Sequence, residues 1–509
     1  MESTPMTSQD ALWLTMDRPN NLMVIDTLMW FRSVPDWSAV EDVLQERLVD
    51  HFPVFRSHAV PNGSGWQWEE VVDFRLEDQI ERVTLPSPGD KVALRAYVAG
   101  QREVPFSKSR PSWAMHFIEN LNFENGDKGA AVLARFHHAI ADGIRLTQAV
   151  MGLCDLDPTD VTSVGRPIAS SSSPTAAAAS VVRATVSDVA DIAGTTAARV
   201  GSAAEAARDV ALGAASGEVL ETAASVLNRG KSIFTAGTRA LKFPERLMDV
   251  NALVSSTDNR MANDAVVPGK FVLSGASVKT VWSGTPGRHK DADWAPVLDL
   301  DDVKAIGRAT GTTVNDVMIA AVSVALTRYL RENGDHSTDE LLWMVPVSIR
   351  PVEAGVPKEL GNHFALVMLR MPIGLEDSRA CLAAMHERMD RIKNSNEALL
   401  TFGMQRGVAN APSPVAVGLT NYFANKAVGV LTNVPGPRAP MRLAGTELDG
   451  VLGWAPCSGD QPMTICIFSY NGKVSVGFGA DKELVPDLDR LSDLFESGFR
   501  DMYAEIVGD

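Results

Sequence analysis

The sequence predicts an α/β protein built from two similar domains. Short strand-like and helix-like segments alternate in both halves of the chain, which is typical of sheets covered by helices. A chain of 509 residues is also too long for a single hydrophobic core. A polar break followed by an Ala-rich stretch separates the two halves. We therefore expect an N-terminal domain at 1–168, a linker region at 169–250 and a C-terminal domain at 251–509.

The first part mixes both kinds of segment. Residues 22–32 have strand character and residues 40–51 have helical character. Further on, the apolar run 130–136 predicts a buried strand. Two histidines follow that run directly, and the helix-like run 144–153 comes after them. The histidines are thus expected where a buried strand ends and the chain turns.

The middle part begins at the polar run Ser170–Pro174 and is rich in Ala, Val, Ser and Thr. Val182, Val186, Val189 and Ala193 recur at helical spacing, and glycines interrupt the pattern. Two interpretations stay open, a loosely packed helical linker and a lipid-facing element. The scarcity of large apolar residues and basic clusters favours the linker.

The third part carries helix and hairpin signals. A helix is expected from Asp299, and Thr313–Asp316 has the character of a cap for the apolar helix 317–330. Residues 341–347 and 363–371 read as strands. The pair 466–470 and 474–478 flanks Asn471-Gly472, a strong hairpin signal, and 484–507 is an amphipathic terminal helix.

Composition excludes several classes of function. The net charge of −16, without a dense Lys/Arg cluster, argues against a nucleic-acid partner. Four irregularly spaced cysteines indicate a reducing compartment rather than a disulfide framework. No apolar run reaches the ~18–20 residues that a spanning helix needs, so we expect a protein that is soluble or peripherally bound to a membrane.

The stretch from His137 to Gly143 carries the chemistry. An imidazole with an ordinary pKa of ~6.5 suits proton transfer near neutrality. Adjacent strand residues point to opposite faces, so His137 and His138 are poor joint metal ligands, and common zinc spacings are absent. Asp142 is close enough to shape the loop, and Gly143 would permit a backbone conformation that other residues resist. A purely structural role for the histidines is the alternative.

The complete pattern HHxxxDG resembles the signature of the coenzyme-A-dependent acyltransferase superfamily, and the rest of the chain resembles its bacterial wax ester synthase/diacylglycerol acyltransferases. The similarity runs from about residue 8 to 505, with a variable stretch near 165–250. Ser112 stands where the family's Pro-Leu-Trp motif has Leu. The stretches that carry the resemblance are 13–31, 111–113, 313–317, 345–351, 361–362 and 432–437.

This resemblance implies two chloramphenicol-acetyltransferase-like domains that form a pseudo-dimer around a central tunnel. It also implies that His138 is the general base, with His137 as a structural neighbour. Asp142 would orient the loop through a buried ion pair with Arg350; a surface position for Arg350 is the alternative. Asn315 is the candidate oxyanion donor or support from the opposite domain, beside Asp316, and a plain helix cap is its alternative role.

The implied reaction transfers a long-chain acyl group from acyl-CoA to diacylglycerol, to a fatty alcohol, or to both. Acyl-CoA is a substrate, and neither a cofactor nor a metal is expected. A polyketide or glycolipid hydroxyl as acceptor, and a non-catalytic lipid-droplet-binding protein, are the rival interpretations. We expect a cytoplasmic enzyme that associates peripherally with the inner membrane or with lipid bodies.

Overall fold

The computed structural model describes residues 3–63, 65–156, 278–336, 340–348, 360–375, 377–394, 397–411 and 413–508. The predicted linker 169–250 and Arg350 therefore lie outside the described residues. The strands are β1 Ser3–Pro5, β2 Val24–Phe31, β3 Ser57–Asn62, β4 Gly65–Glu70, β5 Ile80–Thr84, β6 Trp113–Asn122, β7 Lys128–His137, β8 Cys154–Leu156, β9 Lys290–Trp294, β10 Leu298–Asp299, β11 Glu340–Ser348, β12 Phe364–Pro372, β13 Gly429–Pro435, β14 Met441–Leu443, β15 Thr446–Glu447, β16 Gly450–Trp454, β17 Met463–Tyr470 and β18 Lys473–Asp481.

The α-helices number ten within the described residues. They are α1 Ser8–Met16, α2 Trp37–Leu44, α3 Lys91–Gln101, α4 Gly143–Met151, α5 Leu300–Thr310, α6 Val314–Glu332, α7 Ser378–Lys393, α8 Glu397–Ala409, α9 Ser413–Ala424 and α10 Leu488–Ile506. One π-helical segment, Gln45–Val49, continues α2, and two 3₁₀ turns cover Pro53–Arg56 and Leu76–Gln79.

A five-stranded sheet carries the histidine motif. Its strand order is β16-β2-β7-β6-β5, antiparallel except for the parallel pair β5 and β6. Strand β7 is buried along almost its whole length, because its two faces pack into two different apolar clusters. Val132 and Phe136 belong to one cluster, and Ala131 and Leu133 belong to the other. This two-sided burial explains why the strand reads as a continuous apolar run.

The second large sheet has the order β10-β18-β17-β13-β11-β12, and β9 also pairs with β18. It shares an apolar core with α6 and α10. Helix α6 begins at a capping box, in which the Thr313 side chain accepts from the backbone N–H of Asp316 while the Asp316 side chain accepts from that of Thr313. The predicted cap is thus confirmed, and so is the predicted hairpin at Asn471-Gly472.

Most predicted segments are present with shifted ends. The expected helix 40–51 is shorter, since α2 ends at Leu44 and a π-helical segment follows it. The terminal helix begins at Leu488 rather than at residue 484. Pro486 explains this shift, because a proline disfavours helical backbone in the residue before it.

The N-terminal sheet is completed by a strand from far along the chain. Strand β16 pairs with β2, with Leu452 opposite Leu28, and the short strand β14 pairs with β8. The domain boundaries 1–168, 169–250 and 251–509 stay predictions, and residues 1–168 do not form their sheet alone. Within the described ranges, no single helix is long and apolar enough to cross a membrane. The pair α5 and α6, bent by 97°, is the only one there that is long and apolar enough when its two helices are taken together.

Candidate active site

Backbone hydrogen bonds hold both histidines at the end of β7. The N–H of His137 donates to the carbonyl of Ser112 at 2.9 Å, and the N–H of His138 donates to the carbonyl of Met23 at 2.7 Å. The N–H of Ile140 then donates back to the carbonyl of His137 at 3.0 Å. The predicted position of the histidines, at a strand end followed by a turn, is therefore confirmed.

His137 has a structural environment. Its Nδ1 accepts a hydrogen bond from the N–H of Ala139 at 3.1 Å, which places the ring proton of a neutral imidazole on Nε2. That Nε2 lies 3.9 Å from Oδ1 of Asp17. Burial, followed by the neighbouring His138, lowers the pKa of His137 to about 3. With its nitrogens engaged in this way, His137 is poorly placed to act as a base.

His138 lies against aromatic rings. Its imidazole stacks on the indole of half-buried Trp13, with ring centroids 3.9 Å apart and an interplanar angle of 16°. Phe364 contacts it at a centroid distance of 5.7 Å. Burial lowers the pKa of His138 to about 4, against raising effects from its own carbonyl, from Asp142 and from Asn362. The imidazole is therefore neutral near pH 7, as a proton acceptor must be.

The two nitrogens of His138 differ in their surroundings. Nδ1 is fully enclosed and has no hydrogen-bond partner of good geometry among the described residues. Nε2 is not in that condition. A substrate cannot reach the enclosed Nδ1, so Nε2 is the nitrogen that remains for the role of a base.

Asp142 ties the turn to the C-terminal half. Its Oδ1 accepts from the N–H of Arg145 at 2.9 Å and so caps α4, while its Oδ2 accepts from the N–H of His363 at 2.8 Å. Its own N–H donates to the carbonyl of Gly361 at 3.3 Å. These contacts attach the turn to α4 and to His363, and the orienting role of Asp142 stays a prediction. The predicted ion pair with Arg350 lies outside the described residues and stays a prediction.

Gly143 does not play the expected conformational part. It is the first residue of α4 and its φ is not in the left-handed region. The expectation of a backbone conformation that other residues resist is therefore wrong. A Cβ at this position would meet no atom within 4 Å, so the glycine borders open space beside the motif.

The motif Asn315-Asp316 has two separate attachments. Thr313 is the cap of α6, so the helix-cap alternative for Asn315 is wrong. The Oδ1 of Asn315 instead accepts from Nδ2 of Asn433 at 2.8 Å. Oδ2 of Asp316 lies 2.7 Å from Nδ1 of His386. Burial raises the pKa of Asp316, but hydrogen bonds from His386 and Thr313 outweigh that effect and bring the pKa below its usual value. A role for Asn315 toward an oxyanion stays a prediction.

Three residues without a predicted role, Asn362, Asp10 and Trp13, complete the surroundings of His138. Asn362 donates from Nδ2 to the carbonyl of His138 at 2.9 Å and to Oδ1 of Asp10 at 2.8 Å. Asp10 and Trp13 both belong to α1. Trp13 and Asn362 do stand in stretches that carry the family resemblance, but one sequence assigns no contact to either. No cluster of three or more potential metal ligands occurs among the described residues.

Comparison with known proteins identifies the family of this chain. Residues 6–266 match the wax ester synthase/diacylglycerol acyltransferase catalytic domain, and residues 360–503 match the C-terminal domain of the same proteins. The chain belongs to the wax ester synthase/diacylglycerol acyltransferase family. It is an acyltransferase, and the predicted family and enzyme class are confirmed.

Relatives of this acyltransferase include two probable diacylglycerol O-acyltransferases of Mycobacterium tuberculosis. One is 25% identical over 446 residues, covering 87% of this chain and 81% of the relative. The other is 24% identical over 514 residues, covering 98% of each chain. Both similarities extend across the two halves of the protein.

Solved structures confirm the predicted fold class. A wax ester synthase/diacylglycerol acyltransferase from Marinobacter aquaeolei VT8 superimposes with a TM-score of 0.64 at 17% identity, covering 99% of this chain and 100% of that one. The first condensation domain of the calcium-dependent antibiotic synthetase gives 0.54 at 14% identity, covering 100% and 97%. The acyltransferase thus has the two-domain, chloramphenicol-acetyltransferase-like α/β fold.

Proposed function

We propose that this acyltransferase moves a long-chain acyl group from acyl-CoA to the hydroxyl of diacylglycerol, of a fatty alcohol, or of both, with His138 as the general base. The observation that carries the proposal is the state of His138. Its ring is neutral near pH 7, packs against Trp13 and Phe364, and has a fully enclosed Nδ1. The names of the relatives support diacylglycerol as an acceptor.

The reaction needs one base and no covalent enzyme intermediate. The acceptor oxygen attacks the thioester carbonyl while its proton passes to Nε2 of His138, a role for which a gain of ~10²- to 10⁴-fold is typical. The tetrahedral oxyanion collapses, the carbon–sulfur bond breaks, and the CoA thiolate takes the proton from the imidazolium. Acyl-CoA is a substrate in this scheme, and neither metal nor cofactor takes part. Asn315 is the proposed support for the oxyanion.

The decisive assay incubates the purified protein with radiolabelled palmitoyl-CoA and diacylglycerol, hexadecanol or no acceptor. We expect labelled triacylglycerol or wax ester. We expect His138→Ala to abolish both products while the variant stays folded, with the same unfolding transition as the unaltered protein. His137→Ala should retain measurable activity. The matched control is His289→Ala, since that imidazole is 67% exposed and remote in the chain. Near-normal turnover by folded His138→Ala protein would refute the mechanism.

The assay also separates the rivals. If neither diacylglycerol nor hexadecanol gives an ester, a polyketide or glycolipid hydroxyl becomes the favoured acceptor. A second round of the assay with such alcohols would test it. Acyl-CoA binding without any transfer would indicate a non-catalytic lipid-binding protein.

We further propose that the enzyme works in the cytoplasm at the surface of the inner membrane or of lipid bodies, because both acceptor and product are insoluble in water. Binding should come from modest apolar surface and show little salt dependence, given the net charge of −16. Fractionation of lipid-loaded cells tests this. Recovery of all the protein in the soluble fraction would contradict it.

A further inference from the structure

The stretch from residue 398 to residue 446 differs in charge from the rest of the protein. It contains no Asp or Glu, whereas the whole chain has 63 acidic residues among 509. The four basic residues of this stretch are Arg406, Lys426, Arg438 and Arg442. A surface formed by this stretch therefore approaches phosphate groups without the repulsion that the net charge of −16 would otherwise cause.

Helix α9 presents an uncharged face to solvent. None of its residues is charged, and Leu419 and Tyr422 are 36% and 50% exposed. Pro414 and Gly418 are also exposed, and the spacing of four residues places them on the same helix face as Tyr422. Leu419, three residues before Tyr422, borders the same face. We call these four residues the α9 stripe; it leaves apolar side chains in water, where their burial would be favourable.

An aromatic ring is paired with a basic group on α8 and again at the end of α9. The ammonium of Lys426 lies 4.7 Å from the ring centroid of Tyr422, and the guanidinium of Arg406 lies 6.0 Å from that of Phe402. Arg406 is the exposed member of the two basic residues. Side chains with an apolar body and a polar tip, such as tyrosine and arginine, suit a boundary between hydrocarbon and water. The two helices therefore have the composition of a surface that meets lipid headgroups.

Helix α1 connects these two helices to the histidine motif. Both α8 and α9 pack against α1, and the Ser8 hydroxyl of α1 donates to Oδ1 of Asn410, between α8 and α9, at 2.9 Å. The same helix α1 carries Trp13, whose indole stacks on the imidazole of His138. A single helix therefore contacts both the proposed base and the helix that bears the α9 stripe.

We propose that the α9 stripe docks the enzyme on a phospholipid bilayer, from which the enzyme takes its hydrophobic acceptor. The identity of that acceptor rests on the proposed function, whereas docking itself does not. Burial of Leu419 and Tyr422 in the bilayer interface drives docking, and Arg406 adds an attraction to anionic phosphate groups. Because a single exposed cation contributes little, binding keeps a weak salt dependence.

Flotation of the purified protein with vesicles of phosphatidylcholine, phosphatidylglycerol and diolein measures docking without any need for turnover. A Cβ at Gly418 would meet no atom within 4 Å, so Gly418→Asp adds a carboxylate to the α9 stripe without displacing a neighbour. We expect vesicle affinity to fall about 10-fold or more, because docking would then remove a charge from water. The matched control is Gly100→Asp on α3, where a Cβ also meets no atom within 4 Å. Its vesicle affinity should equal that of the unaltered protein.

Removal of apolar surface gives a second readout. The double variant Leu419→Ser, Tyr422→Ser should also lose about 10-fold or more in vesicle affinity. Its control is the double variant Val72→Ser, Val92→Ser, since these valines are 75% and 71% exposed and lie outside residues 398–446. In assays of ester formation, the KM for diolein in vesicles should rise in the Leu419, Tyr422 variant. The kcat/KM for hexanol, a short acceptor dissolved in water, should stay unchanged.

The outcomes distinguish docking from the proposed function. Flotation that is absent in the unaltered protein, or that both stripe variants retain in full, overturns the proposal. A changed oligomeric state or a lowered Tm with full flotation overturns it as well, because the α9 stripe would then be covered by a second copy or by the chain itself. If the protein floats in a stripe-dependent manner but esterifies no acceptor, the catalytic assignment fails and docking stands.

Discussion

Replacing Asp142 by alanine should destabilise the protein more than the loss of an ordinary helix cap. The carboxylate accepts from two backbone N–H groups, one at the start of α4 and one at His363, 221 residues along the chain. Asp142 is only 4% exposed, so water cannot replace either bond. A hydrogen bond to a charged group contributes about 1.5–3 kcal/mol, and two of them give about 3–6 kcal/mol.

Asp90→Ala is the matched control. Asp90 caps α3 through a single bond to the N–H of Ala93, at 3.0 Å, and a cap of this kind contributes about 1 kcal/mol. For a cooperative unit of 150–250 residues, each kcal/mol lowers Tm by about 2–4 °C. We expect a fall of about 6 °C or more for Asp142→Ala, against about 2–4 °C for Asp90→Ala.

Thermal unfolding followed by circular dichroism measures both variants at pH 7.5. Activity of Asp142→Ala should fall as well, because the same turn carries His138. An ion pair with Arg350 would increase the loss, and the double variant should then lose less than the sum of the single ones. Equal Tm values for Asp142→Ala and Asp90→Ala would refute the view that this carboxylate connects the two halves.

Two further predictions concern the imidazoles. Trp13→Ala removes the ring that stacks on His138, an interaction that contributes about 0.5–1.5 kcal/mol. We therefore expect kcat to fall about 2- to 10-fold in Trp13→Ala and to be mostly retained in Trp13→Phe. An unchanged kcat in the alanine variant would contradict a positioning role for Trp13. The folded-state pKa values of His137, about 3, and of His138, about 4, lie below the ordinary value of ~6.5. At pH values between the folded-state pKa and the ordinary one, the unfolded chain therefore binds more protons than the folded protein does. Stability should therefore fall as pH is lowered from 7 to 5, by about 1–2 kcal/mol per histidine, and urea unfolding of the His137→Gln, His138→Gln double variant should show a shallower loss.

The sequence by itself determined the elements whose signals are local. Strand β7, the capping box at Thr313 and the hairpin at Asn471 follow from apolar runs, from one cap and from one turn dipeptide, each within a few residues. The HHxxxDG motif likewise placed His138 at a strand end. Local patterns suffice here because backbone hydrogen bonding and side-chain periodicity depend on near neighbours.

The tertiary structure alone decided what surrounds His138. Strand β16 joins the N-terminal sheet, and Asp10 meets Asn362 across 352 residues of sequence. Trp13 was visible as a family-like residue, but its stack on the imidazole was not. Such contacts join single polar or aromatic groups and leave no periodic pattern in either segment. They form only when packing of the two apolar cores brings α1, the motif turn and the start of β12 together, so that enclosed polar atoms must find partners in one another.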